Sequence, residues 1–263
     1  MSTVQGNEDI GVSMEGYVAT VEMRRPPNNF LDIELIDNLA TVLEALDNES
    51  NCRAVVLAAA GKHFCAGANL KKRIDDEAAG KAVVRPRHLY HEARRLVATS
   101  KPIVAAVHGS AIGAGLGLAL VADFRVTCKE SRLACNFAAL GYHPGFGMTY
   151  TLPRLVGHQT ARWLAYTGRR VPGDEAVKIG LADRLTEQEN VRKLAQEIAA
   201  ELAQIAPLSL QATRASLNHE LIAEFKMATE REAFEQQLLR ATNDFKEGVK
   251  ASAERRDPQF TGT

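Results

Sequence analysis

The sequence predicts an α/β fold followed by a helical region, on three observations. Strand-like and helix-like segments alternate from residue 16 to about residue 190. Two apolar strands each open into a turn of small residues, at 62–72 and at 108–120. Beyond about residue 190 the apolar spacing is helical only. The α/β core is therefore expected over 1–195 and the helical region over 196–263.

Taken in order, "GYVATVEM" (16–23) alternates as a half-buried strand does, and "RRPPNN" ends it. Asp32 is placed to cap a helix whose apolar stripe is Leu35, Ile36, Leu39, Val42, Leu43 and Leu46. "RAVVLAAAG" (53–61) reads as a buried strand, and residues 73–100 as polar helix broken at Pro86. Strands are then expected at "PIVAAV", "FRVTC" and, shorter, "SRLAC". Strand, helix and strand in this order argue for crossover connections. In the tail, Leu194, Ile198, Leu202 and Ile205 fall in step on one helix, and Pro207 separates it from a long helical region ending near Arg256.

Composition narrows the function. The chain has 263 residues, 46% hydrophobic and 24% charged, with 32 basic side chains against 32 acidic. This balance supplies no net field for nucleic acid or an anionic membrane, and neither is an expected partner. Cys52, Cys65, Cys128 and Cys135 lack C-x-x-C spacing and are expected as reduced thiols. The N-terminal residues lack the basic and apolar regions of a leader, so a cytoplasmic protein is expected. The uncharged stretch 103–122 is long enough to span a bilayer, yet it is mostly Ala and Gly, with His108 and Ser110 inside it. A strand followed by a buried helix accounts for its length.

The glycines of "HGSAIGAGLGLAL" do not fit a dinucleotide loop, because Gly113, Gly115 and Gly117 give G-x-G-x-G. Nor is there the Gly-Lys-Ser/Thr of a Walker loop. Two readings remain for this segment alone: close packing of a helix on strands, or backbone N–H groups left open to a substrate. The turn "HFCAGANLKK" (63–72) is a second segment of the same kind. Two such turns could each supply one N–H to a single carbonyl oxygen.

With these segments the chain resembles the crotonase (enoyl-CoA hydratase/isomerase) superfamily over nearly its full length. The resemblance rests on "RRPPNNFL", "FCAGANL", "KPIVAAVHGSAIGAGLGLALVADFRV", "TGRRVPGDEAVKIGLADRL" and "TNDFKEGVKASAERRDPQFTG", found in the family's order. It implies a spiral of ββα units with a C-terminal helical region that assembles trimers or hexamers (dimers of trimers). It also implies an acyl-CoA thioester as substrate, with coenzyme A entering as part of that substrate and no separate cofactor. The family's two oxyanion-hole donors match the N–H groups of Ala68 and Ala114. Ala66, Asn69 and Leu70 match the turn that cradles CoA, and Arg25, Lys71 and Lys72 are candidates for its phosphates. Asn69 stands where an Asp is usual and keeps a capping oxygen for the next helix.

The resemblance breaks at the acids. A hydratase of this family uses two glutamates, and the matching positions here are Gly117 and Phe137. From Ser131 to Gly173 there is no Asp or Glu at all. Proton transfer must then come from another group. His143 in "GYHPG" is the first candidate, since a neutral imidazole suits either proton role. Tyr142 and Cys135 are weaker candidates, as is one inward-turning member of Asp75, Asp76, Glu77, His88, Tyr90, His91 and Glu92. His108 is expected to cap or pack. No spacing suggests a metal site or a nucleophilic triad. Phe137, Ala139 and Phe146 imply an apolar acyl pocket. The expected function is enolate stabilisation on a hydrophobic acyl-CoA, of hydratase/isomerase type. Decarboxylation, C–C cleavage, thioester hydrolysis and CoA binding without catalysis are the alternatives.

Overall fold

The computed structural model describes residues 4–70, 72, 74–75, 79–80 and 88–263. An antiparallel hairpin of β1 (Ile10–Glu15) and β2 (Val18–Met23) opens the chain. Helix α1 (Ile33–Asp47) follows, and β3 (Ala54–Ala59) then lies parallel to β2. The Asp32 carboxylate accepts the Leu35 N–H at 2.8 Å, and all six expected stripe residues of α1 are buried. Strand β1 was not expected, because its outer face is polar and only Ile10 and Gly11 are fully buried.

Helix α2 (Leu89–Val97) leads to β4 (Ile103–Val107), β5 (Ser110–Ile112) and the short helix α3 (Ala114–Ala119). Strands β6 (Phe124–Thr127) and β7 (Arg132–Ala134), then helix α4 (Met148–Thr167), make the next turn. Strand β8 (Val171–Pro172), helix α5 (Gly173–Lys178) and β9 (Arg184–Leu185) close the core. The main sheet runs β1-β2-β3-β4-β6-β9, parallel from β2 onward, and a second sheet runs β5-β7-β8. Two successive turns, β4-β5-α3 and β6-β7-α4, each place one strand in the main sheet, a short one in the second, and then a helix. This is the repeating ββα spiral of crotonases. Apolar residues fill both strand faces of β3 and β4, as parallel strands covered on both sides require.

Helix α6 (Val191–Ala203) lies along the outer face of β3 and β4. Its deepest stripe is Val191, Ala195, Ala199 and Ala203; the expected Leu194, Ile198 and Leu202 flank it, and Ile205 is exposed. Small side chains let this helix sit close on the sheet, so the larger residues pack at its edges. The division expected at 195/196 falls inside α6, and the helices that leave the sheet begin at Pro207. The long helical region expected there consists of three helices: α7 (Pro207–Leu217), α8 (His219–Leu239) and α9 (Asn243–Glu254). The breaks fall at Asn218 and at Thr242, whose hydroxyl caps α9 by accepting the Phe245 N–H at 3.1 Å. Among the described residues no helix is long and apolar enough to cross a membrane.

Candidate active site

The first turn of the site is held by a buried asparagine. Asn29 donates from Nδ2 to the carbonyls of Ala60 and His63, each at 2.8 Å, and accepts the Arg25 N–H at 2.9 Å. It pins the loop after β2 to the loop after β3. Beyond it Cys65 pairs with Ala111 as a parallel bridge, with Cys65 N–H donating to Ser110 and Ile112 N–H to Cys65. The two small-residue turns therefore leave neighbouring strands side by side.

Gly67 shows how closely they run. Its φ is +84°, and a Cβ there would stand 2.6 Å from the Ile112 oxygen and 3.8 Å from the Ala114 nitrogen. Only glycine fits both the conformation and the space. Just beyond this contact are Ala68 and Ala114, both partly exposed. Ala114 begins α3, so its N–H has no acceptor within the helix. Among the described residues neither the Ala68 nor the Ala114 N–H donates a hydrogen bond. The adjacent turns therefore carry two main-chain donors without an acceptor.

Other residues of the first turn have defined partners. The Asn69 side chain accepts the Lys72 N–H at 3.1 Å, so it caps the following turn as expected. The Ala66 N–H donates to the Asn28 carbonyl, and Leu70 packs against the core. Arg25 is engaged by two carboxylates, Asp9 at 2.5 Å and Asp32 at 2.6 Å. A phosphate at Arg25 would compete with both. Lys72 is exposed, and Lys71 lies outside the described residues.

The facing wall is apolar near the turns. A Cβ on Gly113 would lie 3.6 Å from the ring of Phe137 and 3.3 Å from Asn136 Oδ1. Phe137 stacks on Tyr142, which packs against Phe245. Gly117 faces Phe146: a Cβ there would stand 2.6 Å from Phe146 Cβ. Phe146 is fully buried and takes a left-handed φ of +62°. Ala139, also expected on this wall, is exposed within the 3₁₀ turn Ala138–Leu140.

His143 is half-buried, and its Nδ1 lies 2.7 Å from the Pro144 carbonyl. A carbonyl only accepts, so Nδ1 carries the hydrogen and Nε2 of the neutral ring keeps its lone pair. Among the described members of the seven candidates over 75–92, Tyr90 of α2 turns inward toward this segment. Its hydroxyl donates to Gln236 Oε1 at 2.9 Å, and Gln236 Nε2 donates to the His143 carbonyl at 2.9 Å. Burial pushes the Tyr90 phenol well above 10, so it stays a donor. Glu92 is buried too, but it pairs with Arg95 at 2.6 Å. His91 is exposed, and Asp76 and Glu77 lie outside the described residues. His108 bonds through Nε2 to the Gly61 carbonyl at 2.9 Å. Burial pushes the Cys135 thiol up to about 12, which leaves it an unreactive thiol.

One acid near this wall lies outside the motifs. Glu232 of α8 is fully buried and accepts the N–H groups of Gly147 and Thr149 at 2.7 and 2.9 Å, and the Thr149 hydroxyl at 2.6 Å. Burial outweighs these donors and pushes its carboxyl up to about 7. In the sequence it sits among Glu230, Arg231 and Glu235, which reads as a solvated helix face. Among the described residues no three His, Cys, Asp or Glu side chains are grouped so as to hold a metal ion.

The two-sheet spiral, with paired turns at its strand ends, defines an acyl-CoA-processing enzyme of the crotonase class. Residues 13–263 match the family described as enoyl-CoA hydratase/isomerase, and the chain belongs to that family. It is 32% identical to the short-chain-enoyl-CoA hydratase of Clostridium acetobutylicum, over 92% of this chain and 93% of that one. It is also 32% identical to the 1,2-epoxyphenylacetyl-CoA isomerase of Escherichia coli, over 95% and 97% of the two chains. The crystal structure of carnitinyl-CoA hydratase from Mycobacterium avium is similar, with a TM-score of 0.87 at 27% identity, over 98% of this chain and 100% of that one.

Proposed function

We propose that the protein stabilises the enolate of a hydrophobic acyl-CoA thioester between the Ala68 and Ala114 N–H groups. The observation that carries this reading is the pair of unused main-chain donors on turns in backbone contact. As a thioester α-carbon loses its proton, charge moves onto the carbonyl oxygen, and two fixed dipoles meet it there without reorganising. Asn69 and Leu70, with Ala66, form the turn against which CoA would lie. Phe137 beside Gly113 favours an acyl group with apolar bulk.

Gly117 and Phe137 stand where a family hydratase would carry its glutamates, so ordinary hydration is not the reaction favoured. His143, with Nε2 open as a base, takes the proton role. Isomerisation, or decarboxylation and C–C cleavage through the same enolate, fit this equipment better than addition of water. The exposed Trp163 and Tyr166 on α4, and Leu208, Leu217 and Phe234 on α7 and α8, support burial against further copies in a trimer or hexamer.

The test is exchange of the α-protons of phenylacetyl-CoA in deuterated buffer, followed by mass spectrometry. Enzyme-dependent exchange is expected. Crotonyl-CoA hydration is expected about a hundredfold or more below that of a two-glutamate hydratase. Ordinary hydration rates would refute the missing-acid argument. Tight phenylacetyl-CoA binding without exchange or turnover would favour a non-catalytic CoA-binding protein.

A further inference from the structure

Helix α8 carries three polar side chains on one buried face: Thr229, Glu232 and Gln236, each at most 5% exposed. Their spacing of three and four residues stacks them along the helix. Thr229 Oγ1 accepts from Arg94 Nε of α2 at 3.0 Å. Glu232 holds the N–H groups of Gly147 and Thr149. Gln236 takes the Tyr90 hydroxyl with one end of its amide and gives a hydrogen bond to the His143 carbonyl with the other. The ladder thus ties α2 and the segment 143–149 to a single helix.

Before it enters α4 that segment is irregular: Phe146 and Gly147 have positive φ, and no strand of either sheet runs through it. Its buried polar groups need partners, and α8 supplies them. Tyr90 also fixes the approach, since a Cβ on Gly145 would stand 1.7 Å from its hydroxyl oxygen. The same contacts set where Phe146 meets Gly117 and where the His143 ring begins.

We propose that Gln236 and Glu232 are positioning residues for the segment that bears His143 and Phe146, so that α8 completes the acyl pocket of its own chain. The catalytic part of this inference rests on the role given to His143 above. It assigns to the C-terminal helices a task separate from assembly. Gln236 acts on the main chain of His143: that carbonyl, which only accepts, draws the amide nitrogen, and the Tyr90 hydroxyl holds the amide oxygen.

The test compares Gln236→Met, Tyr90→Phe and His143→Ala in the full-length protein. Two readouts are taken: amide hydrogen exchange over 143–149, and kcat and KM for α-proton exchange of phenylacetyl-CoA. Gln236→Met is expected to speed exchange in this segment and lower kcat roughly tenfold or more, with KM changed less than about threefold. Tyr90→Phe is the milder variant, and it decides the matter if Gln236→Met does not fold. It should move both readouts in the same direction by a smaller factor. Unchanged amide exchange in both folded variants would overturn the proposal, as would a rise in KM alone with kcat intact. If His143→Ala itself leaves kcat unchanged, the role of His143 fails, and the hold of α8 on the segment is then judged by amide exchange alone.

Discussion

Phe146 fills the space that a side chain at position 117 would need. The 2.6 Å separation between its Cβ and a Cβ built on Gly117 is far inside van der Waals contact. The two residues share one volume, which explains how a glycine inside α3 is matched by an aromatic ring in a left-handed backbone conformation. Gly117→Ala should therefore destabilise the protein by about 1–3 kcal/mol through overpacking. Because the closest atom is the Phe146 Cβ, which alanine would keep, Phe146→Gly in the same chain should relieve part of that loss. Urea denaturation of the two single variants and the double variant would give the coupling, expected at about 0.5–3 kcal/mol. Simple additivity would contradict the shared volume.

Ala114 offers a way to delete a main-chain donor. It is the first residue of α3, a position where proline is tolerated because the lost N–H has no helical acceptor. Ala114→Pro should retain the fold and lower kcat for α-proton exchange by about 10²–10³-fold. Circular dichroism checks the fold, and exchange kinetics check the donor. A fully active Ala114→Pro protein would remove this N–H from the mechanism.

His143→Ala should lower kcat by about a hundredfold or more if the imidazole is the base. Binding of phenylacetyl-CoA, measured by calorimetry, should change little. Unchanged turnover would pass the proton role to another group or to water.

Glu232 gives a pH signature. Its carboxyl is raised from 4.5 to about 7 in the fold because burial disfavours the charge. The protonated form is the one the fold prefers, so its contribution is complete below about pH 4.5 and is lost as pH rises through about 7. The swing is about 3 kcal/mol. Other groups titrate in the same range, so the quantity to compare is wild type minus Glu232→Gln. That difference in unfolding free energy should fall from pH 4.5 to about 7.5. A flat difference would place Glu232 in a wetter environment than the fold gives it.

Much of this architecture was legible because local chemistry and tertiary context agree. Asp32 and the stripe of α1 were readable since cap and apolar spacing mark the same helix. The apolar runs of β3 and β4 announced buried parallel strands. Strand β1 was hidden because its pairing with β2, rather than its own alternation, makes it a strand. The tail was legible as a helical region, but not its division into three helices, because Asn218 and Thr242 are weak breakers beside Pro207.

The site divides in the same way. The two small-residue turns were legible because they follow apolar strands, and the resemblance to the family then singled out Ala68 and Ala114 within them. Glu232 and Gln236 could not, since their neighbours in sequence are charged and only the fold turns one face of α8 inward. Tyr90 was one name among seven until its contact with Gly145 and Gln236 distinguished it.

Gly67 lets two stretches of backbone touch, and the donors beside it belong to the peptide chain itself. No side-chain exchange short of proline can delete them. The proposed oxyanion site is thus fixed by the main chain, while the wall at 117, 137 and 143–146 can be rewritten residue by residue. A designer wishing to change the reaction of this protein would leave the two turns untouched and edit the wall together with the face of α8 that holds it.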